Sequence, residues 1–200
     1  MANWKEQTNA AIRSVPIWLV YLLGVLPAPA LFYLGATGGL GVEPIKELEH
    51  AYGELALQIL IACLCISPLR RFFGVNLLKF RRVIGLLSFL YVCLHLGVWL
   101  FLDIQIWSQI WADILKRPYI TIGMGGFLLL LPLAVTSNNL SVRRLRVRWR
   151  KLHRLVYPAV LLAGIHFVML RKGFQIEPMV YLGLIILLLA VRAVPSLRRA

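Results

Sequence analysis

Acidic residues are scarce in this chain: 8 of its 200 residues are Asp or Glu, against 22 Lys or Arg, and charged residues make up only 15% of the whole. The formal net charge is +14. A soluble nucleic-acid binder gathers such charge into a surface patch. Here the basic residues alternate with apolar runs of membrane length, so no nucleic-acid partner is expected. Cysteine is scarce as well. Cys63, Cys65 and Cys93 form neither a C-x-x-C motif nor an even framework, which argues against a disulfide scaffold or a thiolate metal site and for small buried hydrophobes. No G-x-G-x-x-G stretch is present, which argues against direct nicotinamide use. No soluble domain, low-complexity tract or internal repeat is evident between the apolar runs.

What the chain does have is apolar length. Hydrophobic residues make up 60% of it and the mean hydropathy is +0.78, well above a soluble domain of this size. Six segments can be drawn, at about 15–35, 50–68, 83–102, 118–136, 153–170 and 177–194. The second carries Glu54 and Gln58 in its first turns, and the fifth starts in a basic stretch. Lys5 and Arg13 precede the first, and Ala28-Pro29-Ala30 resembles a signal-peptidase site. The apolar stretch runs on to Tyr33, however, longer than a secretory core, so a retained first span is expected.

Charge sets the orientation. With the N-terminus inside, seventeen Lys/Arg fall on the cytoplasmic side, among them five in 70–82 and seven in 143–154. Five fall outside: Lys46, Lys116, Arg117, Arg171 and Lys172. The positive-inside rule then places both termini in the cytoplasm. The expected fold is an all-α integral membrane protein, a six-helix bundle with N-in/C-in topology.

Ionisable groups at membrane depth are expensive and mark function. His95, His153 and His166 each sit in or at the mouth of a span. Spans three and five run in the same direction, His95 about 12 and His166 about 13 residues in, so the two should share a depth near the outer leaflet. Imidazoles on neighbouring helices can grip one haem iron from opposite faces. Gly97 and Gly164, two residues from these histidines, could leave room for a flat macrocycle. His153 lies 13 residues before His166, ~20 Å along a helix, at the inner mouth of span five. The positions matching it on span three are Arg81 and Arg82, so a second haem there would have one protein histidine. Thirteen residues also rotate His153 about 140° from His166, which a kink at Pro158 would have to relieve.

Arg81 and Arg82, with the basic run Arg143–Arg154, suit haem propionates or a flavin phosphate as well as anionic lipid. Trp149 and Tyr157 read as interfacial belt aromatics. His50, beside Glu47, Glu49 and Glu54, reads as a solvated or hydrogen-bonded interfacial histidine at the outer start of span two. The short outer stretches 36–49 and 103–117 could dock a partner through Asp103 or Asp113.

The order of these features resembles the MsrQ (YedZ) family of the ferric-reductase-like transmembrane superfamily. The resemblance rests on Gly38-Gly39-Leu40-Gly41 with Pro44, Ser67-Pro68-Leu69, Arg81-Arg82 with Gly85-Leu86, and Leu94-His95-Leu96. It continues through Arg117-Pro118-Tyr119 with Gly123, Thr136-Ser137, Trp149, Leu152-His153, Tyr157 and Ile165-His166. It implies haem b, one or two per chain, with His95, His153 and His166 as axial ligands, and FMN at residues it does not name. It also implies a bacterial inner-membrane subunit that passes electrons to a periplasmic molybdopterin-containing reductase, drawing them from the quinone pool or a cytosolic flavin reductase. That partner repairs oxidised methionine in envelope proteins, so terminal catalysis would lie on the partner chain. The lone histidine opposite an arginine pair departs from the four-histidine, two-haem pattern of the wider superfamily. The resulting division is a cytoplasmic segment 1–14, a ferric-reductase-like transmembrane domain 15–195 and a cytoplasmic basic tail 196–200.

Two other functions compete with an electron conduit. One is a stand-alone ferric or small-molecule transmembrane reductase. The other is a proton-coupled transporter, for which Glu54 is the one intramembrane acid.

Overall fold

The computed structural model describes residues 3–171 and 175–193, which are helical apart from short connections. Lys172, Arg198, Arg199 and the tail 196–200 lie outside the described residues. Eleven α-helices follow in order among them: α1 (Trp4–Ser14), α2 (Ile17–Val25), α3 (Pro27–Ala36), α4 (Pro44–Pro68), α5 (Arg81–Val98), α6 (Trp107–Lys116), α7 (Pro118–Val135), α8 (Asn139–Leu145), α9 (Val147–Leu152), α10 (Val156–Leu170) and α11 (Ile176–Ala193). Six helical stretches are long and apolar enough to cross a bilayer: Ile17–Ala36, Pro44–Phe73, Leu78–Ile104, Pro118–Val135, Val147–Leu170 and Ile176–Ala193. The protein is a multi-pass, all-α membrane protein.

These spans overlap the six apolar segments, but three are longer. Span two begins at Pro44 rather than near residue 50, because proline at the first helical position needs no N–H partner and Glu47 in the first turn favours the positive helix end. It continues past Pro68 through a π-turn, Leu69–Phe73, that Gly74 closes in the left-handed region at φ 75°. Span three likewise runs on through a π-turn at Trp99–Ile104. Span five starts at Val147 and passes through a 3₁₀ turn, His153–Leu155, into α10.

Two helix pairs form the centre, α4 against α5 and α7 against α10. Lipid is as apolar as a leucine side chain, so burial alone does not hold such helices together, and small residues that let backbones approach become important. Gly126 of α7 is one: a Cβ there would stand 3.6 Å from the Ala159 carbonyl oxygen of α10. Leu57, Leu60 and Leu64 of α4, Leu130 of α7, Val160 and Phe167 of α10, and Ile185 of α11 fill the shared core.

The first span is peripheral, with Ala28 its one buried residue. Two phenols hold it: Tyr52 donates to the Ala28 carbonyl at 2.7 Å, and Tyr91 donates to the Gly24 carbonyl at 2.8 Å. Residues Trp4–Ser14 form α1. The Asn9 amide donates to the Gly74 carbonyl at 2.9 Å and accepts from the Asn76 N–H at 2.8 Å, which fastens α1 to the connection after span two.

Candidate functional site

His95 leaves the last turn of α5 and His166 the turn before the end of α10, and their rings meet inside the bundle. The ring centres are 6.2 Å apart and the planes lie at 78°. Each ring is tied down at Nδ1. His95 donates from Nδ1 to the Glu49 carbonyl at 2.8 Å, and His166 donates to the Tyr119 carbonyl at 2.7 Å. A carbonyl can only accept, so these bonds fix both tautomers and leave Nε2 as a lone-pair donor. Ring orientation through the second nitrogen is the usual support of a metal-bound histidine.

Both rings line one cavity of about 270 Å³, walled on its deeper side by Leu57, Leu60, Phe127, Leu130 and Ala163. Lys46 and Arg117 also line it, and their side chains are half open to solvent at 53%. Asp103 lines it as well. Two imidazoles on one metal, each bonded at about 2.0–2.1 Å with the ring centre about 1.1 Å behind the nitrogen, would have centres about 6.3 Å apart. The observed separation fits that arrangement. Among the described residues no cluster of three or more His, Cys, Asp or Glu side chains is placed to hold a metal ion. A metal between these imidazoles therefore needs equatorial donors from elsewhere, as a porphyrin supplies.

The glycines beside the histidines in sequence are not the ones that make room. A Cβ on Gly97 would meet nothing within 4 Å, and Gly164 packs against Leu182 and Ile185 of α11. The residues against the rings are Gly53 of α4 and Gly123 of α7, where a Cβ would stand 2.9 Å from His95 Nδ1 and 2.8 Å from His166 Nδ1. Sequence reasoning missed this role for both. The signal lies in the fold: each glycine follows by four residues the one whose carbonyl takes the histidine, at matching chain separations of 46 and 47 residues, and the sequence does not mark those carbonyls.

His153 is not brought to this pair. At the other end of span five, its Nε2 lies 3.1 Å from Thr136 Oγ1. Its ring stacks on Trp149 with centres 3.9 Å apart, and Trp149 Nε1 donates to the Thr136 carbonyl at 2.9 Å. Trp149 thus packs directly on His153. Tyr157 likewise turns to α11, where its hydroxyl accepts from Arg192 at 3.2 Å. Arg81 and Arg82 are exposed at this same end and do not line the cavity. Arg82 donates to Asn139 Oδ1 at 2.8 Å. The basic run is split between α8 and α9 at Arg146, which adopts φ 45°.

His50 follows the first turns of span two, because that helix starts at Pro44 and not near residue 50, and it lines the cavity half-buried. Glu54 is engaged with Gln58, which donates to it at 2.8 Å and also reaches the Tyr181 hydroxyl at 2.8 Å. Asp113 is tied to Arg117 at 3.3 Å, and its side chain is 19% exposed. The 103–117 stretch folds largely as α6, which seats Ile110 on Trp99 and Ile120.

Six membrane-length helices around an internal imidazole pair define a class, and residues 49–164 match the family described as ferric reductase like transmembrane component. Among curated proteins, the chain is 48% identical over 183 residues to the protein-methionine-sulfoxide reductase heme-binding subunit MsrQ of Agrobacterium fabrum, covering 90% of this chain and 85% of that one. It is 52% identical over 179 residues to the MsrQ of Rhizobium meliloti, covering 89% and 83%, and 47% identical over 180 residues to that of Brucella anthropi, covering 89% and 81%. No solved structure matches the chain. The chain belongs to the MsrQ family, within the ferric reductase like transmembrane proteins.

Proposed function

We propose that the chain is the haem-bearing membrane subunit of a bacterial methionine-sulfoxide reductase system, and that it conducts electrons across the inner membrane to a separate reductase subunit. The observation that carries this reading is the His95–His166 pair, 6.2 Å apart and tied at both Nδ1 atoms. The relatives' names, which describe a heme-binding subunit of a protein-methionine-sulfoxide reductase, support it.

Haem b bound there would supply an iron that takes up and releases one electron at a time. The chain's own contribution is positional and dielectric. His95 and His166 present Nε2 to the cavity, while Glu49 and Tyr119 hold the opposite nitrogens through their carbonyls. Leu57, Leu60 and Leu130 give the cavity an apolar wall, which together with the ligands would tune a redox potential. Lys46 and Arg117 are the basic groups lining the cavity that can balance propionate charge.

The count is one haem at this pair. A second at His153 remains the other reading, and it requires Nε2 to release Thr136, with Arg81 and Arg82 left to meet propionates or a flavin phosphate. The same end carries the basic run, which under the positive-inside rule faces the cytoplasm. The His95/His166 end then faces the periplasm, where a molybdopterin-containing partner would accept electrons. Donation comes from the quinone pool or a cytosolic flavin reductase, and FMN by family resemblance. On this reading the chain divides into a cytoplasmic segment 1–14, a ferric-reductase-like transmembrane domain 15–195 and a cytoplasmic basic tail 196–200. The test is spectroscopic: chain purified from haem-replete cells should show a Soret band that shifts on dithionite reduction, and colourless protein would refute the reading.

A further inference from the structure

We propose that Gly53 and Gly123, each with the main-chain carbonyl one turn before it, form two matching seats that set the imidazole planes of His95 and His166 at near right angles. The glycines are then positioning residues for haem ligation. The inference rests on the reading that this pair binds haem.

The two seats have the same construction. On α4, the Glu49 carbonyl takes the Nδ1–H of His95 at 2.8 Å, and four residues on Gly53 presents a bare Cα to the ring. A Cβ there would come within 2.9 Å of Nδ1 and 3.2 Å of Cε1. On α7, the Tyr119 carbonyl takes His166 at 2.7 Å, and a Cβ on Gly123 would come within 2.8 Å of Nδ1 and 3.0 Å of Cε1. Residues four apart lie one above the other on a helix face, so carbonyl and glycine act on the same ring. The carbonyl directs the N–H, and the glycine lets the ring lie against the helix. Each plane is thus set by its own seat, on a different helix, and not by the other ring. The resulting angle is 78°.

Other glycines nearby lack this arrangement. Gly97 shares α5 with His95, yet a Cβ on it meets nothing within 4 Å. Alanine is also intrinsically a better helix former than glycine, so a penalty at 53 or 123 would report the ring and not the helix.

The angle has a spectroscopic consequence. Axial imidazoles with perpendicular planes leave two iron d orbitals close in energy and give ferric low-spin haem a highly anisotropic resonance, whereas coplanar rings split those orbitals and give a rhombic one. The experiment is low-temperature electron paramagnetic resonance on the full chain loaded with haem b, comparing wild type with G53A, G123A and G97A. Wild type and G97A should show the highly anisotropic low-spin signal. G53A and G123A should each lose most of it to a rhombic or a high-spin species. Wild-type signals in both would overturn the proposal.

Should G53A and G123A fail to accumulate, H95G titrated with free ligands decides. Imidazole can donate its second N–H to the Glu49 carbonyl, while 1-methylimidazole carries a methyl group there. Imidazole should restore the low-spin signal at roughly tenfold lower concentration, about what one hydrogen bond contributes. Equal concentrations would overturn the proposal. Unpigmented wild type would defeat the haem reading and the seats with it, whereas pigmented wild type with unaltered glycine variants would defeat the seats alone.

Discussion

His95 hydrogen-bonds at 2.8 Å to the main chain of Glu49, 46 residues earlier in sequence. The second helix pair repeats the relationship, His166 bonding to Tyr119 across 47 residues at 2.7 Å. Neither bond involves a side-chain acceptor. Substituting Glu49 or Tyr119 therefore leaves the tether in place, which concentrates the sequence requirement on the histidines and the two glycines.

His153 should behave as a structural histidine. Thr136→Val removes the hydroxyl at its Nε2. The expected result is a loss of about 1 kcal/mol of stability in a thermal unfolding assay in detergent, with haem content unchanged. A rise in haem content, with Nε2 released from Thr136, would place a ligand at that end of the bundle.

The phenol contacts of the first span should each matter modestly. Tyr52→Phe and Tyr91→Phe delete the bonds to the Ala28 and Gly24 carbonyls. Each should cost about 1 kcal/mol, and the double variant should expose residues 17–36 to limited proteolysis without altering the Soret band.

Close packing of α7 on α10 should be intolerant of bulk. Gly126→Leu would drive carbons past a Cβ already 3.6 Å from the Ala159 carbonyl oxygen. A destabilisation of about 1–3 kcal/mol is expected, seen as a lower unfolding temperature. Gly97→Leu, facing open space, should change it little.

Much of this was legible in the sequence because the bilayer imposes a coarse code. Six apolar runs gave six spans, and equal distance along co-directional spans predicted that His95 and His166 share a depth. What escaped lay in tertiary packing. Span two starts at Pro44 and not near residue 50, because a proline at the first helical position and the helix dipole accommodate the acidic first turn. Gly97 and Gly164 attracted attention by proximity along the chain, but a helix turns neighbours two apart away from each other. The partner of His153 could not be read, because a threonine carries no signal of which ring it will meet.

The proposed N-in/C-in topology rests on the seventeen-to-five distribution of basic residues. Fusions of a cytoplasm-active fluorescent protein and a periplasm-active phosphatase to either terminus should report both ends inside. Phosphatase activity at either end would reverse the direction of electron flow proposed for the pair.

The most direct measurement is haem per chain, by pyridine haemochrome, in purified wild type, H95A, H166A and H153A. The account predicts about one haem in wild type, loss of most of it in H95A and in H166A, and near wild-type content in H153A. Equal loss from all three variants, or full retention in H95A, would contradict an imidazole pair gripping one iron.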